Sequence, residues 1–181
     1  MGRAVVPTAG HPLRMPFVWL LLVTMFVTEF VKGALLVSIL PLYMKTALGM
    51  SAFMIGLSFS LQYIGDNLFR SPLGWLIDKV GYRGGMLFGL VLAFLSVVLL
   101  AFAGRPFTAA AGCLLLGVGT SPLWPCVVTG VTEVAGERGK ASILSTVHIA
   151  WLTGTGTGPI VMNVLVRDDF ALPFGIVGLC M

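Results

Sequence analysis

Residues 74–85 read GWLIDKVGYRGG, one acid and two bases set between two long apolar runs, 52–77 and 86–103. Each run approaches the roughly 20 apolar residues that carry a helix across a bilayer. Lys79 and Arg83 are the kind of short-loop bases that hold a turn on the cytoplasmic side, while Gly81, Gly84 and Gly85 allow a tight reversal. The stretch is therefore read as the turn between two membrane helices, which accounts for its bases. It does not account for Asp78, an acid closing a membrane helix with Gly74 four residues before it and Gly81 three after.

The rest of the chain has the composition this reading requires. Its 181 residues are 57% hydrophobic and only 10% charged, with a mean hydropathy of +1.01, whereas a soluble domain carries about 25% charged residues. The formal charge is +4, but the bases fall singly among apolar segments and form no stripe, so nucleic acid is not an expected partner. Cys113, Cys126 and Cys180 lie in apolar runs without metal-ligand spacing and read as small buried hydrophobes; no cofactor is implied. Val6 stands where a myristoylation signal wants Ser or Thr. The apolar run after Arg14 continues to Leu40 with no small-residue cleavage site before Glu29, which reads as a retained span rather than a signal peptide.

Apolar windows predict spans at 17–40, 52–77, 86–103, 108–131 and 143–166, after a cytoplasmic segment 1–16. A sixth opens at 171 and stops at 181. A helix of that length rises about 16 Å against a hydrocarbon core of about 30 Å, so the last span reads as unfinished and the sequence as a fragment or a truncated product. With the N-terminus inside, six bases fall on the cytoplasmic face (Arg3, Arg14, Lys79, Arg83, Arg138, Lys140) and three outside (Lys45, Arg105, Arg167). That bias predicts a multi-pass protein of the cell membrane with a cytoplasmic N-terminus.

Four ionisable residues fall inside spans, Glu29 and Lys32 on the first, Asp66 and Arg70 on the second. Each costs about 3 kcal/mol at the bilayer centre, so they are expected to face the bundle interior or a wet cavity. Glu29 and Lys32 share one helical face, and Gln62, Asp66 and Arg70 share another at four-residue spacing, which predicts a polar track. Glu29 and Asp66 both lie roughly 17 Å from the cytoplasmic ends of their windows at 1.5 Å per residue. The four charges sum to zero, which suits a substrate or coupling pocket and equally two structural ion pairs. Trp124 and Trp151 sit away from the interfacial belts, as core packing or as a stacking platform for a sugar or aromatic guest. Gly81, Gly85 and Gly89 recur every four residues, a pattern that permits close helix contact. GTGTGP at 154–159 lacks the Lys-Ser/Thr of a phosphate loop.

Gly74, Leu76, Asp78, Lys79, Gly81 and Arg83 fit the pattern G-x-L-x-D-R/K-x-G-R-R/K, and the segment resembles the signature between the second and third helices of the major facilitator superfamily. Tyr82 departs where that family often has a base. The resemblance implies an all-α polytopic membrane protein of two six-helix halves that rock about a central site. This chain would be the N-terminal six-helix half with its sixth helix truncated, and the missing C-terminal six-helix half would be its partner. By the same resemblance the protein is a secondary transporter of a small molecule by alternating access, not an enzyme. Gly74, Asp78, Lys79, Gly81 and Arg83 are then its gating motif, with Asp78 latched on the positive end of a helix in the other half.

Further resemblances narrow this. Cys113 stands where many proton-driven members carry an arginine, so coupling through that arginine is not expected. Gly154-x-x-x-Gly158-Pro159 matches half of the fifth-helix motif of drug antiporters, whose glycine pair is replaced by Met162 and Asn163. An acid and a base on the first span, an acid on the second and tryptophans on the fourth and fifth resemble the headgroup pocket of Gram-positive glycolipid flippases in the same superfamily. Glu29, Lys32, Asp66, Trp124 and Trp151, with Arg70 beside them, would then hold a lipid-linked disaccharide drawn from the membrane lipids. Two rivals come from other classes. An intramembrane enzyme would want a metal or nucleophile constellation, where the chain offers an isolated His148; a non-transporting membrane adaptor stays open.

Overall fold

The computed structural model describes residues 15–165 and 170–181, apart from the side chains of Leu76, Asp78, Glu137 and Arg138. Arg3, Arg14 and Arg167, counted above for orientation, and the Asp78 carboxylate on which the latch depends lie outside what is described. The fold is all-α. Helices α1 (Pro16–Thr46), α2 (Ala52–Val80), α3 (Tyr82–Ala101), α4 (Pro106–Gly136) and α5 (137–165) follow one another through short turns, and α6 (Ala171–Cys180) comes last. Three of them, α1, α3 and α4, are long and apolar enough to cross a membrane. At 29 residues α2 has the length as well, and carries Asp66 and Arg70.

Local chemistry sets the helix ends. The Ser51 hydroxyl accepts the Met54 N–H at 3.3 Å and starts α2. Gly81, at φ +88°, ends it, and α3 begins at the next residue. The polar break expected over 132–142 is far shorter: the chain stays helical on both sides of Gly136, whose φ of +62° turns α4 into α5. Only glycine reaches that conformation at little cost, so one residue suffices. Inside α1, Ala34–Ile39 widens into a π-helical segment. Pro41 lacks the N–H that Val37 would otherwise receive, and the ladder shifts register before it.

Glycines decide which helices touch. A Cβ at Gly33 would lie 2.5 Å from the Thr155 carbonyl oxygen, and one at Gly154 or Gly158 would run into the carbonyl of Phe26 or Phe30. Helices α1 and α5 therefore meet backbone to backbone, and Gly154-x-x-x-Gly158 is their contact motif. Gly117 brings α4 onto the Gln62 carbonyl of α2, and a Cβ at Gly119 would lie 2.5 Å from the Ala93 nitrogen of α3. Of the series expected on the third span, Gly85 packs on Ile77 and Cys126 and Gly89 on Pro122 and Gly119, while a Cβ at Gly81 would meet nothing within 4 Å and that glycine serves the turn.

Two apolar clusters fill the bundle. One joins Val18, Leu21 and Met25 of α1 to Val127, Val131 and Val147. The other joins Leu35, Ile39 and Met44 to Val97, Leu100, Leu116 and Met162. On α1, buried Thr28 and Glu29 fall between the two clusters, and on α4 buried Thr120 does the same. Cys113 and Cys126 are buried as expected, whereas Cys180 is exposed at the end of α6.

Candidate functional site

A cavity of about 480 Å³ opens at this polar level between α1, α2, α4 and α5. All six residues expected to form a pocket line it: Glu29, Lys32, Asp66, Arg70, Trp124 and Trp151. The π-helical widening of α1 and the glycine ahead of it contribute Gly33, Leu36 and Val37 to the wall.

The four charges form one network rather than two separate pairs. Lys32 Nζ lies 3.2 Å from Glu29 Oε1 and 3.3 Å from Asp66 Oδ2, so a single ammonium joins α1 to α2. Arg70 Nη2 lies 3.0 Å from Asp66 Oδ1. The second Glu29 oxygen accepts the Thr155 hydroxyl of α5 at 3.2 Å. Exposure grades the network: the carboxylate side chains are 8% exposed and Lys32 15%, whereas Arg70 is 44% exposed. Water screens the Arg70 end and makes it the weakest link, while the buried members depend on one another for compensation.

Gln62 departs from the expected track. It is fully buried where α2 crosses α4, outside the cavity lining, and its side-chain amide has no hydrogen-bond partner among the described residues. Its four-residue spacing from Asp66 shares a helical face in projection, but the close approach at Gly117 seals that turn against α4.

The same cavity has an aromatic wall. Trp124 and Trp151 meet edge to face at 6.1 Å between centroids, and His148 stands against both, at 5.0 and 6.2 Å. Along the chain His148 stands isolated, yet the fold places it in the cavity lining with Tyr63, Asn67, Thr120 and Thr155. The spacing carries a signal: His148, Trp151 and Thr155 lie three and four residues apart, on one face of one helix.

The motif that decided the fold lies elsewhere. Gly74 and Lys79 ride the last turns of α2, Gly81 makes the turn and Arg83 opens α3; none of them lines the cavity. Lys79 Nζ sits 3.6 Å above the centre of the Trp75 ring, a cation held on an aromatic face. Among the described residues no three His, Cys, Asp or Glu side chains gather as metal ligands. The arrangement gathers aromatic rings and compensated charge around one cavity.

Comparison with known proteins agrees with this architecture. A family profile described as Major Facilitator Superfamily matches residues 16–181. The chain is 30% identical over 149 residues to the proton-coupled antiporter flippase LtaA of Staphylococcus aureus, strains USA300, NCTC 8325 / PS 47 and COL. The match covers 82% of this chain and 36% of each relative, so the chain spans little more than a third of the curated relatives it matches.

Proposed function

The chain belongs to the major facilitator superfamily, and on that premise we propose that it supplies the substrate-contacting N-terminal helices of a proton-coupled lipid flippase. A second six-helix half closes the cavity, the two halves rock in alternating access, and the N-terminus lies in the cytoplasm. The cargo is a membrane lipid with a sugar headgroup, most simply a disaccharide. Trp124 and Trp151 offer ring faces to the sugar, and Glu29, Lys32, Asp66 and Arg70 offer donors, acceptors and a site for the exchanged proton. The relatives named above support the flippase reading, and the cavity is of headgroup size.

One observation carries the coupling: Lys32 is held between Glu29 and Asp66. The network is neutral as a whole. Protonating Asp66 removes the anion that Lys32 and Arg70 share, leaves Lys32 with Glu29 alone and Arg70 without a partner, and so favours a rearranged bundle. Gly74, Asp78, Lys79, Gly81 and Arg83 form the cytoplasmic gate in this scheme, at the end of the bundle away from the network.

The test uses the whole protein in proteoliposomes with a fluorescent disaccharide lipid and an imposed proton gradient. Asp66→Asn and Glu29→Gln are expected to insert normally and to lose gradient-driven flipping at least tenfold in one or both. Full gradient-driven activity in both variants would overturn the coupling role. Uptake of a free sugar without lipid flipping would point instead to a soluble small-molecule substrate, which a cavity of this size also admits.

A further inference from the structure

The aromatic wall of the cavity carries one titratable ring, that of His148, which takes no part in the charge network. His148 Nδ1 lies 2.9 Å from the Leu144 carbonyl one turn back on α5. A carbonyl only accepts, so Nδ1 carries the hydrogen, and in the neutral ring Nε2 is an acceptor. Nε2 makes no hydrogen bond among the described residues. Trp124 at 5.0 Å and Trp151 at 6.2 Å pack the ring at 73° and 85°, which, with the Leu144 bond, holds its orientation.

The carboxylates of the cavity are already engaged. Each oxygen of Glu29 receives one donor, from Lys32 and from Thr155, and each oxygen of Asp66 receives one, from Lys32 and from Arg70. A guest hydroxyl that donated to a carboxylate would share its oxygen with a donor already bound there. One that donated to His148 Nε2 would disturb nothing. We infer that His148 is the specificity residue of the cavity: its Nε2 accepts a hydroxyl hydrogen from a sugar ring lying against Trp124 and Trp151. This rests on the cavity being a headgroup site.

The test measures binding of dioctanoylglycerol carrying a maltose headgroup, and of its monodeoxy analogues, to the whole protein in lipid nanodiscs by quenching of tryptophan fluorescence. His148→Phe keeps a ring against Trp124 and removes the acceptor; His148→Gln restores one. The expected result is a loss of about tenfold for His148→Phe, the worth of one neutral hydrogen bond with an unpaired partner. His148→Gln should recover to within about threefold of the wild type. One monodeoxy lipid should bind the wild type about tenfold more weakly than the parent lipid, yet bind His148→Phe no more weakly than the parent does, so that the two losses do not add. Additive losses for every deoxy position, or unchanged binding by His148→Phe while Trp124→Ala abolishes it, would overturn the role of His148 and leave the headgroup site standing. A wild type that binds none of these lipids would overturn both.

Discussion

Helix α1 meets its two neighbours around the cavity in opposite ways. Toward α5 it closes backbone on backbone at Gly33, Gly154 and Gly158, and the Ser38 hydroxyl donates to Asn163 Oδ1 at 2.7 Å. Toward α2, at the level of the cavity, it reaches across with one ammonium, Lys32 to Asp66 at 3.3 Å. The first seam is made largely of dispersion contacts that lose up to about half their strength over a gap of about 1 Å, so it has one good geometry. The second is made of charges that a proton or a guest can re-pair. In a rocking bundle, α1 and α5 would move as one piece, while the gap between α1 and α2 would register the ligand.

The sharpest way to break this comparison is to widen the tight seam. Gly158→Leu drives a side chain into the Phe30 carbonyl, where backbone rather than a flexible side chain must give way. The expected cost is about 3 kcal/mol, the upper end for overpacking, read as lost monodisperse yield and a lowered midpoint of thermal unfolding in detergent. Near wild-type stability would mean that the seam is looser than its geometry. Lys32→Met tests the other side, since it leaves two carboxylates without their shared cation. Breaking a fully buried pair costs about 3–5 kcal/mol, and water in the cavity reduces this to about 2 kcal/mol. Adding Glu29→Gln should return part of the loss, and a purely additive double variant would argue against the network.

Two smaller effects sharpen the picture. Ser38→Ala deletes the hydroxyl that ties the π-helical segment to Asn163 and should cost about 1 kcal/mol in the same unfolding assay. Gly156 sits between Gly154 and Gly158 in sequence, but a Cβ there meets nothing within 4 Å. Gly156→Ala should therefore change stability by no more than about 1 kcal/mol, and in the stabilising direction, from helix propensity alone. A large loss there would mean that another surface covers this face.

Much of the site is legible in the amino-acid sequence. Charge inside a membrane span is costly, so the sequence alone marks Glu29, Lys32, Asp66 and Arg70 as residues that must face inward, and the turn at 74–85 identifies the family through residues whose spacing few other folds require. Glycine at four-residue spacing likewise announces close helix contact. What the sequence does not supply is partnership across elements. Helical periodicity puts Gln62 and Asp66 on one face, yet α4 seals one and leaves the other open to the cavity. It pairs Glu29 with Lys32 and Asp66 with Arg70, whereas the folded bundle joins all four through Lys32 and Asp66 and brings Thr155 and His148 of α5 to the same cavity. Burial preference is a property of each residue and is written along the chain; a distance between helices depends on which glycines let their backbones touch, and only the packed bundle decides that.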